Sequence, residues 1–215
     1  RDRPQMKRRH FLKSTAIASI AAPFALQRTA SAQSRSANRK MTINLVCGAI
    51  GVKASQTRAI ELAAKHGFES VEAHSSYLAE LSDGELEALN ADLKKKRLVW
   101  GTSGLSVDFR KDEDTFKRGL KELPGLASGL QRAGVKRVNT WIMPCHDELT
   151  YLENFKQHSN RLIKICKVLD DYDLRFGMEY VGTATLLATR KYPFLHTMAE
   201  VLELVDAIGT DNAGI

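Results

Sequence analysis

Hydrophobic positions along the chain alternate between two spacings. Thr42 to Ala49 is a short apolar run ending in Cys47-Gly48-Ala49, the pattern of a buried strand. Gln56 to His66 sets Ile60, Ala63 and Ala64 at helical spacing and stops at Gly67, a residue that accepts the left-handed backbone at a helix C-terminus. Ser70 to Ala73 reads as a second strand, and Ser82 to Lys96 as the next helix. In that helix Ser82 and Glu85 form a capping box ahead of Leu86, Leu89 and Leu93. Val99 to Gly101 is a third strand. The helical stretch from Asp114 to Ala133 contains Pro124 and Gly125, which predict a kink or a division into two helices, and Gly134 closes it. Arg137 to Met143 is a fourth strand stopped by Pro144. Glu148 to Asp171 is a long helix with Leu152, Phe155, Leu162, Ile165, Cys166 and Leu169 inward. Leu174 to Val181 gives a fifth strand, Thr197 to Ile208 a fifth helix, and Ala213 to Ile215 opens a sixth strand.

Five strand-helix units in succession, each strand short and apolar, require a parallel sheet with helical crossovers. An open doubly wound sheet and a closed eight-stranded barrel both satisfy this order. No G-x-G-x-x-G follows the first strand and no Walker sequence occurs; Cys47-Gly48-Ala49-Ile50-Gly51 has the wrong glycine spacing. A dinucleotide site is thereby disfavoured. The expectation is an α/β chain of the (β/α)8 TIM-barrel class, incomplete, with about five βα units plus the start of the sixth strand.

Overall charge changes the picture of partners. The chain of 215 residues has 32 Lys+Arg against 25 Asp+Glu, a formal net charge of +7. Seven of the basic residues (Arg1, Arg3, Lys7, Arg8, Arg9, Lys13, Arg28) precede Gln33, where Asp2 is the only acid, so the body is close to neutral. A nucleic-acid partner loses its main support. Those basic residues belong to a leader: Lys7-Arg8-Arg9-His10-Phe11-Leu12-Lys13, an apolar run from Ser14 to Leu26, then Thr29-Ala30-Ser31-Ala32 as an Ala-x-Ala cleavage site. The segment resembles the twin-arginine export signal. Residues 1–32 are expected to be that signal, with cleavage after Ala32, and residues 33–215 the barrel. The resemblance implies a bacterial cell, a periplasmic or otherwise exported destination, and the twin-arginine translocation machinery as a partner. The apolar run contains Pro23 and falls short of the roughly 20 residues that span a bilayer, so no stable membrane anchor is expected. Cys47, Cys145 and Cys166 show no CxxC spacing; they read as buried thiols, with oxidation of one pair left open.

Three segments carry a wider resemblance: Gly67-Phe68-Glu69-Ser70-Val71-Glu72, Gly177-Met178-Glu179-Tyr180, and Pro193-Phe194-Leu195-His196-Thr197 leading to Leu204-Val205-Asp206-Ala207-Ile208-Gly209. In this order and spacing, from Asn44 to Ile215, the chain resembles the xylose isomerase-like barrels of the sugar phosphate isomerase and epimerase family, which also includes nucleases of the endonuclease IV type. The resemblance implies a divalent cation (Mn, Mg, Co or Zn) at the C-terminal ends of the strands. Glu179 takes the fifth-strand position as metal ligand and catalytic base, and an Asp, a His and a Glu are expected beyond Ile215. Such a cation would stabilise the enediolate formed when a proton moves beside a sugar carbonyl, with a carboxylate taking and returning that proton.

Each candidate has a plainer reading beside it. Glu179 shares its strand face with Arg175 and Gly177, so an ion pair with Arg175 is the alternative to catalysis. Glu72 and His74 end the second strand; a substrate contact competes with a cap or lysine pair for Glu72 and with a structural hydrogen bond for His74. Trp141 either stacks on a sugar face or fills the barrel. His146 sits on a loop, where substrate contacts occur. His196 reads as a cap or packing residue, and Lys94-Lys95-Lys96-Arg97 as a solvated helix end. The leading expectation is an exported, metal-dependent isomerase or epimerase acting on a free sugar or sugar derivative. A metal-dependent phosphodiesterase and a non-catalytic sugar-binding barrel are the alternatives.

Overall fold

The computed structural model describes Met41–Ile215. The expected export signal and the tether after it lie outside the described residues. β1 (Asn44–Leu45), β2 (Ser70–Val71) and β3 (Val99–Trp100) form one parallel sheet in that order. β4 (Ser103–Gly104), β5 (Arg137–Trp141), β7 (Arg175–Glu179) and β9 (Ala213–Gly214) form a second, also parallel. β3 and β4 are two halves of one extended stretch. Its first half lies on β2, through Gly101 N to Val71 O at 3.0 Å and Ala73 N to Thr102 O at 2.9 Å. Its second half pairs with β5, Ser103 opposite Val138. The strands therefore follow one another in chain order around a single curved wall. A Cβ at Gly101 would run into Asn44 Oδ1, so a side chain there would have to displace the Asn44 amide.

The helices cover the outer face. α1 (Gln56–Lys65) begins at Ser55, whose hydroxyl accepts from Arg58 N, and the chain leaves it through Gly67 at φ 74°. α2 (Ser75–Glu80) is a short helix that the apolar spacing did not disclose. α3 (Asp83–Lys95) has the expected Ser82–Glu85 capping box. Of the basic run at its end, Lys96 pairs with Asp92. α4 (Glu113–Ala133) is one helix with Pro124 inside it, correcting the expected division, and Gly134 closes it at φ 82°. Tertiary packing outweighs the hydrogen bond lost at Pro124, since Phe116, Leu123, Ala127 and Leu130 are all buried along this helix.

Antiparallel β6 (Cys145–His146) and β8 (Tyr192–Pro193) tie the loop after β5 to the segment after β7, which includes α6 (Ala184–Leu187). α5 (Tyr151–Asp170) and α7 (Met198–Ile208) both start in capping boxes, Thr150–Glu153 and Thr197–Glu200. On β5, buried Val138 and Thr140 alternate with exposed Arg137, Asn139 and Trp141. On β7, buried Phe176 and Met178 alternate with Arg175, Gly177 and Glu179. The buried set packs under the helices with Ile60, Leu78, Leu162 and Ile165, and the other set faces the barrel interior. Cys47, Cys145 and Cys166 are free and buried. Among the described residues no helix is long and apolar enough to cross a membrane.

Candidate functional site

Parallel strands of a barrel deliver their last inward side chains to one rim. Asn44, Glu72, Gly104, Asn139, Trp141, Glu179 and Gly214 lie on inward register positions of successive strands. The two carboxylates among them, Glu72 and Glu179, have contrasting surroundings.

Glu72 is partly buried just beyond β2. Its Oε1 lies 3.7 Å from where a Cβ on Gly104 would stand, so the carboxyl reaches across the inner face. Burial pushes its pKa up, and the neighbouring His74 pulls the other way. Burial also raises the Cys47 thiol, with the Glu72 charge adding to it, which places the thiol beside this carboxyl at the end of β1. Gln56, 1% exposed at the start of α1, holds the strand end in place: its Nε2 donates to Glu72 O at 2.9 Å and its Oε1 accepts from His74 N at 2.6 Å. His74 therefore caps β2 and leads into α2 by its backbone, its ring remaining half-buried.

Glu179 closes β7 directly opposite Trp141 of β5. Its backbone carbonyl accepts from Ile142 N at 2.8 Å. The alternative of an ion pair with Arg175 is not realised, because no ion pair among the described residues engages the Glu179 carboxylate. It lines a cleft of about 630 Å³ together with Arg137, Asn139, Arg175 and the residues 211–215. Asn139 Oδ1 there accepts from Thr102 Oγ1 at 2.9 Å. Among the described residues, no group of three or more His, Cys, Asp or Glu side chains is placed to hold a metal ion. The described donors thus do not make up the expected cation site, and no reaction step is assigned to a metal.

Trp141 and His146 meet in a second, smaller cavity of about 310 Å³. Trp141 is 42% exposed, and the Arg110 guanidinium lies 5.1 Å from its ring centroid. His146 is committed on one side: Nδ1 accepts from Glu148 N at 3.0 Å and Leu149 N at 2.9 Å, which puts its proton on Nε2. His146 thus also holds its own turn. His196 is a packing and cap-adjacent residue, its Nδ1 2.9 Å from Phe194 O and its backbone N–H donating to Glu200.

Gln56, Arg110, Asn154 and His158 are among the residues that sequence did not single out, the last three lining the smaller cavity. For the last two a signal existed. Asn154 and His158 continue the same stripe as Leu162, Ile165 and Leu169, so α5 carries two polar residues on its apolar face.

No protein-family model and no curated protein matches the chain. Among solved structures it is similar to a xylose isomerase domain protein from Alicyclobacillus acidocaldarius, with 29% sequence identity and a TM-score of 0.64 over 75% of this chain and 58% of that one. A D-psicose 3-epimerase with D-tagatose from Clostridium cellulolyticum matches at 19% identity and a TM-score of 0.58, over 75% of this chain and 57% of that one. An IolI protein with a bound zinc atom matches at 20% and 0.62, over 81% and 62%. The chain spans less than two thirds of the length of each of these three. The described residues have the α/β fold of xylose isomerase-like barrels, here with five βα units and the start of a sixth strand.

Proposed function

We propose that this chain carries part of the active site of a sugar isomerase or epimerase acting on a free sugar or sugar derivative. The observation that supports it most is Glu179, an inward carboxylate at the C-terminal end of a barrel strand, the end at which this fold class does its chemistry, with no ion pair among the described residues. In this reading Glu179 removes the proton from the carbon beside the sugar carbonyl. The electron pair left behind forms the C=C bond of an enediol, and the carbonyl oxygen takes a proton. Glu72, which burial holds toward its protonated form, supplies that proton. Return of a proton to the neighbouring carbon isomerises the sugar; return to the opposite face of the same carbon epimerises it. Trp141, opposite Glu179, offers a ring face beside the reacting end.

Dependence on a divalent cation belongs to the same reading, supported by the resemblance and by the zinc in the IolI structure. Chelation followed by return of Mn, Mg, Co or Zn tests it. Export through the twin-arginine route belongs to it too, and an exported product whose N-terminus is Gln33 is the expected result. The central experiment incubates the full chain with free ketoses and aldoses in deuterium oxide and follows exchange beside the carbonyl by NMR. Exchange that disappears in Glu179→Gln, with the fold retained, is expected. Exchange in that variant at the rate of the unmodified chain refutes the assignment, and no exchange with any sugar favours a binding barrel.

A further inference from the structure

The loop between β4 and α4 carries Asp108-Phe109-Arg110-Lys111, and its backbone is held from behind. Phe109 is buried, and buried Arg161 of α5 donates to Phe109 O at 2.8 Å, to Lys111 O at 2.6 Å and to Glu113 at 2.9 Å. Within the loop the Asp108 carboxylate accepts from Arg110 N at 3.3 Å. The backbone at Arg110 is therefore fixed by contacts that its own side chain does not make.

That side chain joins the loop to the end of β5. Nη1 donates to Trp141 O at 2.6 Å, and Nε lies 3.6 Å from the Asp108 carboxylate. The guanidinium carbon lies 4.7 Å from the Phe109 ring centroid and 5.1 Å from that of Trp141. One planar group thus holds the Trp141 backbone and covers one face of its indole, contacts that a guanidinium makes together and a compact ammonium does not. Trp141 is the residue on which such a hold matters. It ends β5, is 42% exposed, and stands opposite Glu179, whose carbonyl accepts from Ile142 N. An indole this open has little packing of its own to fix its torsions, and a ring that must be ordered by its ligand binds more weakly than one ordered beforehand.

We infer that Arg110 is a positioning residue for sugar recognition: it fixes the Trp141 indole as a platform at the barrel rim, one face on the guanidinium and the other open to the C–H face of a sugar. The inference rests on the sugar isomerase or epimerase reading for the class of ligand, and on no role of Glu179 in moving a proton. Arg110 meets neither the sugar nor the reacting atoms; it acts through the ring, whose orientation is set before the ligand arrives.

The test labels the full chain with 5-fluorotryptophan and follows its two tryptophans, Trp100 and Trp141, by 19F NMR, with Trp141→Phe assigning the resonances. Trp100 is tied elsewhere, its Nε1 donating to Asn90 Oδ1 at 2.9 Å, and serves as the internal control. Arg110→Met keeps an apolar stem and should move the Trp141 resonance while leaving that of Trp100 in place. Adding D-fructose or D-xylose, a free ketose and a free aldose, should shift the Trp141 resonance of the unmodified chain. The midpoint of that titration should rise about two- to tenfold in Arg110→Met, the effect of having to order one exposed side chain on binding. Arg110→Lys keeps the charge without the fork and should behave as Arg110→Met does. Both variants should fold, because Arg161 holds the loop without them, and the lysine variant alone decides the matter if the methionine variant does not. An unmoved Trp141 resonance, an unchanged midpoint, unmodified behaviour in Arg110→Lys, or a Trp141 silent to both sugars each overturns the inference. Proton exchange that is absent while Trp141 still responds to sugar refutes the isomerase reading alone, and exchange that proceeds with a Trp141 indifferent to Arg110 refutes this one alone.

Discussion

Lowering the pH should destabilise this protein through His158 in a range where most surface groups are silent. The ring lies between Phe109, centroids 5.2 Å apart and edge-on, and Phe194 at 4.8 Å. Burial pushes its pKa down from 6.5 to about 4, with the charges of Arg110, His146 and Arg161 acting the same way and the bond to Asn154 O opposing. In the unfolded chain the imidazole accepts a proton near pH 6.5; in the folded chain it resists until about pH 4. The stability from this group is therefore complete above pH 6.5 and is lost as the pH falls through that window. At about 1.36 kcal/mol for each pH unit, the total is about 3 kcal/mol. Urea unfolding between pH 7 and pH 4, for the unmodified chain and for His158→Gln, measures it. Carboxylates held low by their partners, such as Glu113 beside Arg161, lose stability at lower pH in both proteins, and Glu72 with its raised pKa acts in the opposite sense in both. The difference between the two curves isolates His158. Coincident pH slopes, or a ring that titrates near 6.5 by NMR in the native protein, would refute the reasoning.

Three further perturbations follow from the packing. At Gly129 an added Cβ would stand 2.5 Å from Ala79 Cα and 2.7 Å from its N, so Gly129→Ala must push α4 away from α2 and should cost about 1 to 3 kcal/mol in urea. Gly125→Ala, four residues earlier with nothing within 4 Å, should instead gain up to about 1 kcal/mol, and equal effects at the two positions would contradict the close approach. Gln56→Leu leaves the Glu72 carbonyl and the His74 N–H without their partner, and a loss of about 2 to 4 kcal/mol is expected. Finally, Cys47, Cys145 and Cys166 should all resist an aromatic disulfide reagent until denaturant is added; burial, with the Asp170 charge adding and the Thr210 hydroxyl opposing, raises the Cys166 thiol to about 11, and rapid labelling of the native chain would be inconsistent with that.

Local chemistry was legible along the chain where it acts over a few residues. The Ser82–Glu85 box and the glycines at 67 and 134 mark helix ends because capping and positive φ are decided within one turn. The βα alternation and the inward register of Glu179 also follow from periods of 3.6 and 2 residues. Other features depend on neighbours distant in sequence. α4 runs through Pro124 because its buried face outweighs one missing hydrogen bond, and the third strand changes partners at Gly101 because β2 and β5 flank it on different sides. Arg110 meets Trp141 across 31 residues, and Arg161 clamps a loop 50 residues away. Burial and charge neighbours decide whether a histidine is a turn residue like His146 or a neutral acceptor like His158, and those neighbours exist only once the strands have brought their loops to one rim.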